Sequence, residues 1–381
     1  MKKAAALLLT GVILVSFGAV VAASNQSLVT KSYVDTTFTN QALEQAGTQA
    51  ESQMSTVYNQ ALNDLNNKHA GYLAQAGTGG NGSSITAGED GLSDLRFKKG
   101  DVLTLSSGSG VMLLAGSAVA SGGIMVDTTD GVTMSSGSGL TIRHRCLAGE
   151  SVAVAVTVTS DTAVLCLEGK YTLSESGNVD YNAMADGLTE MGLLQGTGTA
   201  YGSGYELERQ AMRVEGMVMF IRLMGEEQAA LSSTAKNPFV DSPSWADRYL
   251  AYAYEKGYTT GVGQDASGRL YFGPNQTISV GEYMTFVLRA LGYSESGTNP
   301  DFSWQTAMEA GVRLGVIRQS ERTMLERSSF LRAQVVYLSV CALSAPTKSG
   351  GILLNQTAIN SGLNQTAMQT VLNRISPLRL D

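Results

Sequence analysis

The side chains able to do chemistry in this sequence are few and scattered. His69 and His144 are its only histidines, and Cys146, Cys166 and Cys341 its only cysteines. A metal cluster or a Ser-His-Asp relay would therefore have to be assembled around one isolated imidazole. His144 stands between Arg143 and Arg145 and reads as an exposed basic strand end. No cysteine pair has zinc-ligand spacing, and no phosphate-cradling loop follows a strand. The run Gly263 to Gly268 lacks the alternating carboxylates and closing glutamate of a calcium loop, so a turn is expected there. Glu190, Glu206, Glu208 and Glu215 lie close in sequence, and a carboxylate pair is what glycoside hydrolysis needs. Helical faces of acidic proteins carry such charges routinely, so catalysis is the weaker reading. What remains is anion recognition. Arg213 and Arg332 each begin a helix, where a cation opposes the helix dipole, and this favours an anionic partner over the alternative of a solvated terminal charge.

Those two arginines belong to a pattern that runs three times between Val179 and Leu343. First helices end at Met191-Gly192-Leu193-Leu194, Lys256-Gly257-Tyr258-Thr259 and Leu314-Gly315-Val316-Ile317, with glycine where a left-handed C-terminal cap is wanted. Second helices begin at Arg213-Val214-Glu215-Gly216-Met217, Val280-Gly281-Glu282-Tyr283-Met284 and Arg332-Ala333-Gln334-Val335-Val336. Apolar residues then follow at helical spacing: Met217, Ile221, Met224; Met284, Leu288, Leu291; and Val336, Val340, Leu343. One hairpin cannot bury such a stripe alone, whereas three stacked about a common axis can. Ser279 with Glu282 forms a capping box. Met212 and Leu331 stand at the same position in the other two units, and the oxygen missing there costs each helix start about 1 kcal/mol. Trp245 opens the first helix of the middle unit. It could stack on a sugar ring, but Tyr249 and Ala253 continue its stripe and favour a place in the core.

The middle unit, with Phe239-Val240-Asp241, Trp245-Ala246, Gly257, Gly261, Phe272-Gly273-Pro274 and Ile278-Ser279-Val280-Gly281-Glu282, resembles the repeats of the S-layer homology (SLH) family. The outer units are more degenerate, and the resemblance covers somewhat under half of the chain. It implies a three-pronged helical module that grips a secondary cell-wall polysaccharide, a polymer linked to peptidoglycan, on the outside of a bacterium. It also implies that Arg213 and Arg332 help to bind the polymer's anionic substituents, with Glu215, Glu282 and Trp245 in the same clefts. Val280 takes the arginine position in the middle unit, so one cleft lacks its cation. Replacing both arginines with alanine is then expected to abolish wall binding while leaving thermal stability nearly unchanged.

The rest of the chain fits an exported multidomain α + β protein. Met1-Lys2-Lys3 followed by the apolar run Ala4 to Ala23 has the layout of a secretory signal cleaved before Ser24, with an uncleaved anchor as the alternative. Residues 24–75 form a polar helical stalk, in which Leu43, Ala46, Ala50, Met54, Val57, Ala61 and Leu65 fall three or four apart. A Gly/Ser-rich linker covers 76–92. Residues 93–176 alternate with period two and form a small antiparallel β domain, barrel or sandwich. Ser106-Ser107-Gly108-Ser109-Gly110 recurs as Ser135-Ser136-Gly137-Ser138-Gly139, which suggests a duplicated hairpin. Helical-hairpin units occupy 177–236, 237–298 and 299–345, and a tail with a short helix follows at 346–381. Cys146 and Cys166 both lie in the strand-rich part and could pair, while Cys341 reads as a buried free thiol. A formal net charge of −7 gives no electrostatic footprint for nucleic acid. These readings point to a secreted, wall-attached protein of the cell surface, without cofactor, metal or enzymatic activity. The alternatives are a self-associating surface-array protein and, less favoured, a wall-glycan hydrolase.

Overall fold

The computed structural model describes residues 84–86, 93–149, 152–327 and 329–380. The signal, stalk and most of the linker expected from the sequence lie outside the described residues.

Alternation of apolar side chains builds the β half. Strands β1 (Ser84–Thr86), β2 (Ser93–Lys98), β3 (Val102–Leu105), β4 (Gly110–Ala115), β5 (Ala118–Gly122), β6 (Met125–Asp127), β7 (Val132–Met134), β8 (Arg145–Ala148), β9 (Val154–Val158), β10 (Thr162–Glu168) and β11 (Lys170–Ser174) form two sheets. Their orders are β1-β11-β3-β9-β5 and β2-β10-β4-β8-β6-β7, and the strand pairings are antiparallel. Leu103, Leu105, Val154, Val156, Val158 and Tyr171 from one sheet share a single core with Phe97, Val111, Leu113, Leu165 and Leu167 from the other. The domain is thus a sandwich. Strand β10 is buried on both faces. Its Leu165 and Leu167 point into the sandwich, and Val164 lies under Gly202 of the helical half. This explains its unbroken apolar run, as in any strand covered on both sides.

Two sequence expectations fail here. The repeated Ser-Ser-Gly-Ser-Gly makes the same turn twice, with Gly108 at φ +75° and Gly137 at φ +88°. The first copy, however, joins β3 to β4, which belong to different sheets, so it is a corner and no hairpin was duplicated. Cys146 and Cys166 cannot pair either. Cys146 lies opposite Val111 and Cys166 opposite Met112 of the intervening β4. Successive residues of a strand face opposite ways, which puts the two thiols on opposite faces of the sheet, and all three cysteines are free and buried.

The helical half contains α1 (Tyr181–Glu190), α2 (Arg213–Leu223), α3 (Glu227–Ser232), α4 (Asp247–Glu255), α5 (Val280–Ala290), α6 (Ala307–Arg313), α7 (Gln319–Arg327), α8 (Arg332–Ser344), α9 (Leu353–Ser361) and α10 (Gln365–Ile375). Gly192, Gly257 and Gly315 sit at φ +70°, +73° and +75°. The amide after each glycine bonds back to Leu188, Ala253 or Gly311, the six-to-one bond of a Schellman cap. All nine stripe residues from Met217 to Leu343 are buried. Helices α2, α5 and α8 touch one another pairwise, and α4 packs on α2, α6 on α5 and α1 on α8. The helix contacts thus form a closed circuit.

The tail carries two helices where one short helix was expected. Both α9 and α10 lie on α8, and α10 also packs on α1, so α8 is covered all round and is apolar all round. Several contacts join the β half to the helices. Arg96 Nη2 lies 2.8 Å from Asp186, Asn182 Nδ2 donates to Phe97 O at 3.1 Å, and Gly202 N donates to Asp94 Oδ2 at 2.6 Å.

Candidate functional site

The junctions between helical units hold the residues singled out in the sequence. At the start of α2 the first two amides find backbone acceptors in the neighbouring unit: Arg213 N donates to Gln276 O at 2.7 Å and Val214 N to Pro274 O at 3.3 Å. At the start of α8, Arg332 N donates to Arg209 O at 2.9 Å and Ala333 N to Leu207 O at 3.1 Å. These are the orphan donors of a helix N-terminus, satisfied across a junction. Met212 and Leu331 contribute no cap oxygen. The return half of the box persists all the same, since Glu215 Oε2 accepts from Met212 N at 2.9 Å and Gln334 Oε1 from Leu331 N at 2.8 Å. At α5 both halves form, with Ser279 N on Glu282 Oε2 at 2.8 Å and Glu282 N on Ser279 Oγ at 3.3 Å.

The arginine side chains follow the same circuit. Arg213 crosses from α2 to pair with Glu282 of α5, and its guanidinium lies 5.3 Å from the Phe272 ring and 5.8 Å from that of Phe286. Arg332 of α8 donates from Nε to Tyr205 O at 2.9 Å, and its Nη1 lies 3.9 Å from Glu215 Oε1 of α2. Glu215 also takes both ends of Arg209, at 2.8 and 2.6 Å. The third junction, between α5 and α8, would pair Val280 with Gln334, and both are uncharged. Gln334 Nε2 instead reaches Asp161 Oδ2 of the β half at 2.7 Å.

Neither arginine is a solvated terminal charge. Arg213 is 7 % exposed and Arg332 3 %. Burial pulls both below the ordinary arginine value, with Glu282 and Glu215 respectively pushing back. The expectation that both could be removed without loss of stability therefore fails, because each lies inside a packed junction. Glu215 is held below the usual carboxylate value although burial opposes this, the Arg209 guanidinium and the Met212 amide outweighing it.

Trp245 departs from the core expectation in the other direction. It is 58 % exposed while Tyr249 and Ala253 behind it are buried. The structure adds a second tryptophan that the sequence reading missed: Trp304 is 65 % exposed and lies in the short turn before α6 as Trp245 does before α4. Trp245 precedes the capping glycine by 12 residues (257 − 245) and Trp304 by 11 (315 − 304), and this spacing was the available signal. Behind Trp245 the motif folds on itself. Asp241 accepts from Phe272 N and Gly273 N, both at 2.8 Å, the Phe239 and Phe272 rings lie 5.5 Å apart, and a Cβ on Gly261 would come within 2.6 Å of Phe239.

Two of the four hydrolase candidates, Glu206 and Glu215, meet on a single guanidinium. Glu190 is paired with Arg374, Glu206 and Glu215 with Arg209, and Glu208 is pushed up by burial. Gly263–Gln264 pairs with Leu270–Tyr271 as a short hairpin, and the turn expected in this run joins them, with Asp265 accepting from Ser267 N and Arg269 N at 2.9 Å each. His144 is not an exposed strand end. Its Nδ1 lies 2.8 Å from Asp127 Oδ2, and 22 % of its side chain is exposed.

No family model and no curated protein matches this chain. Among solved structures it is similar to unsaturated-fatty-acid-bound wild-type ToxT of Vibrio cholerae strain SCE256, with 12% identity over 76% of this chain and 94% of that one, at a TM-score of 0.14. It is also similar to ToxT of Vibrio cholerae O395 bound to (E)-4-(8-methylnaphthalen-1-yl)but-3-enoic acid, with 13% identity over 78% and 98% and a TM-score of 0.11. Likeness at those scores carries no argument. Among the described residues no helix is long and apolar enough to cross a membrane.

Proposed function

We propose that residues 177–345 are three SLH-like helical-hairpin repeats that hold an exported protein to a bacterial cell wall by binding a secondary wall polysaccharide, and that the β sandwich is the displayed part. The observation that carries this reading is the closed circuit of helix packing, in which each unit completes its neighbour. In this reading the polymer lies in clefts between units, and two exposed tryptophans stand at matching positions of successive units. Large, rigid aromatic faces beside a cleft suit the apolar faces of sugar rings. The reading is of a binder and not a hydrolase, since Glu190 pairs with Arg374 and Glu206 and Glu215 are both held by Arg209.

Burial changes the roles within the site. Arg213 and Arg332, with Glu282 and Glu215, are positioning residues that fix one unit on the next, and Trp245 and Trp304 take the contact role. Losing wall binding in an arginine variant would not separate contact from unfolding, so the tryptophans provide the test. Full-length mature protein should co-sediment with purified walls and not with walls stripped of their accessory polymer. Trp245→Ala with Trp304→Ala should weaken the affinity for walls, read from sedimentation over a range of wall concentrations, at least ~10-fold, because each exposed stacking contact is of the order of 1 kcal/mol, with the thermal midpoint unchanged. Wild-type sedimentation by the double variant would remove the tryptophans from the contact, and equal binding to stripped walls would overturn the polysaccharide reading. Release of soluble sugar during incubation would replace anchoring with hydrolysis.

A further inference from the structure

Away from the helical junctions, the edge of the six-stranded sheet carries a donor set that the anchoring function does not use. We propose that Asp127, Asp130 and His144 form a binding site for a borderline divalent transition metal, of which Zn²⁺ is the representative ion. One ligand atom from each of the three residues lies within 4.8 Å of the other two. His144 Nδ1 is 2.8 Å from Asp127 Oδ2 and 3.6 Å from Asp130 Oδ2. An ion held by bonds of ~2.1 Å in a tetrahedral shell separates its ligands by roughly 3.4 Å, so His144 and Asp130 already stand near that spacing and the Asp127–His144 pair, now in direct hydrogen-bond contact, would open slightly.

The donors are held ready by groups that do not themselves coordinate. Asp127 Oδ1 accepts from Thr129 N at 2.9 Å and Asp130 N at 3.2 Å, which leaves Oδ2 facing the imidazole. Thr128 Oγ1 donates to Arg145 O at 2.8 Å, and Arg145 N donates to Thr129 Oγ1 at 2.9 Å, so the turn after β6 is bolted to the start of β8, next to His144. Arg143 lies at φ +66°, a conformation unfavourable for a side chain of its size, and it sets the direction in which the next residue leaves the backbone. Ligand carboxylates in metal sites are commonly oriented by outer hydrogen bonds of this kind.

The charge balance gives an independent reason. Several buried or half-buried carboxylates elsewhere are matched by a permanent cation: Glu215 by Arg209, Glu227 by Arg222, Glu321 by Arg379 and Asp101 by Lys98. Asp127 is 5 % exposed and is held below the usual carboxylate value, because the His144 ring and the Asp130 and Thr129 amides outweigh the opposing effect of burial. Among the described residues, the only ion-pair partner recorded for Asp127 and Asp130 is the His144 ring, and the adjacent Arg145 is turned to Glu168. Two carboxylates and a neutral imidazole offer the charge that a divalent ion neutralises. The nitrogen donor favours zinc over calcium or magnesium, which take oxygen. In the free site the Nδ1 proton bridges to Asp127, so the ion would displace that proton to solvent and leave the ring proton on Nε2. Asp130, 61 % exposed, keeps one side of the site open to solvent, and the ion would clasp the β6–β7 turn to β8.

The test uses the untagged full chain after dialysis against a chelator. Titration calorimetry should give one saturable Zn²⁺ site and Ca²⁺ binding at least ~10-fold weaker. Asp130→Asn changes an exposed side chain and should weaken Zn²⁺ at least ~10-fold with an unchanged circular dichroism spectrum. His144→Ala should remove the site, and His69→Ala should leave it intact. Absence of saturable Zn²⁺ uptake overturns the proposal, as does wild-type affinity in Asp130→Asn or Ca²⁺ bound as tightly as Zn²⁺. If His144→Ala does not fold, Asp130→Asn decides alone.

Discussion

At the scale of single residues, the informative result is the inversion of exposure between Arg213 and Trp245. A tryptophan on an amphipathic stripe was expected inside and an arginine at a helix start outside, and each is found in the opposite place. The cause is the junction. Arg213 does not leave its helix for solvent but crosses to the next unit, where Glu282 neutralises it and its guanidinium lies over the rings of Phe272 and Phe286. Sequence shows that an arginine and a glutamate stand two apart in one helix. It does not show that the arginine's partner is the glutamate of the following unit, 69 residues away. Replacing one partner of a buried pair costs about 3 kcal/mol or more. Because Glu282 stays 38 % exposed, about 3 kcal/mol is the expected loss for Arg213→Ala, part of it from lost packing on the two rings. Urea denaturation monitored by tryptophan fluorescence measures it. A midpoint within error of wild type would mean that the guanidinium is solvated after all.

At the scale of elements, what was legible had a local cause. The three glycine caps, the Ser279–Glu282 box, the helical periodicity and the alternation in β3 and β9 each depend on a few neighbouring residues, and the structure has them where the sequence places them. What was not legible depends on partners far along the chain. The Ser-Ser-Gly-Ser-Gly corner between β3 and β4 looks like a hairpin turn until the sheet order is known, and Cys146 and Cys166 look like a pair until β4 is found between them. Glycines show the same division. Gly257 has only its left-handed φ of +73° to satisfy, with open space around its missing side chain, whereas Gly261, at φ +81°, would put a Cβ 2.4 Å from Tyr271 O and 2.6 Å from Phe239 Cε1. Gly257→Ala should therefore cost about 1 kcal/mol, the left-handed penalty alone. Gly261→Ala should cost at least ~2 kcal/mol, since the Phe239–Phe272 stack and the loop held by Asp241 have to move as well. Equal urea midpoints for the two variants would show that the loop gives way freely.

At the scale of the whole molecule, the tail is the feature that the sequence reading undervalued. After Leu343 it returns through α9 and α10 and ends on a buried ion pair. Arg379 spans Glu321 at 2.7 Å from both Nε and Nη2, while the same carboxylate accepts from Arg318 N at 2.6 Å and Tyr337 Oη at 2.8 Å. Glu321 has no exposed surface. Burial alone would raise its pKa, but Arg379, the Arg318 amide and the Tyr337 hydroxyl outweigh this and hold it below its ordinary 4.5. A carboxylate whose folded pKa is depressed adds stability that is present above its unfolded value and is lost as pH falls through the folded one. The wild-type protein should thus hold this contribution at pH 7 and begin to lose it below about pH 4.5. Arg379→Ala leaves a buried carboxylate without its cation, which costs about 3–5 kcal/mol at pH 7. The gap to wild type should narrow at pH 3, where protonation of Glu321 removes the stranded charge. Urea midpoints of both proteins at pH 7, 5, 4 and 3 measure this directly. A gap that stays constant across the series would mean that the tail is held by the apolar faces of α9 and α10 and not by its terminal ion pair.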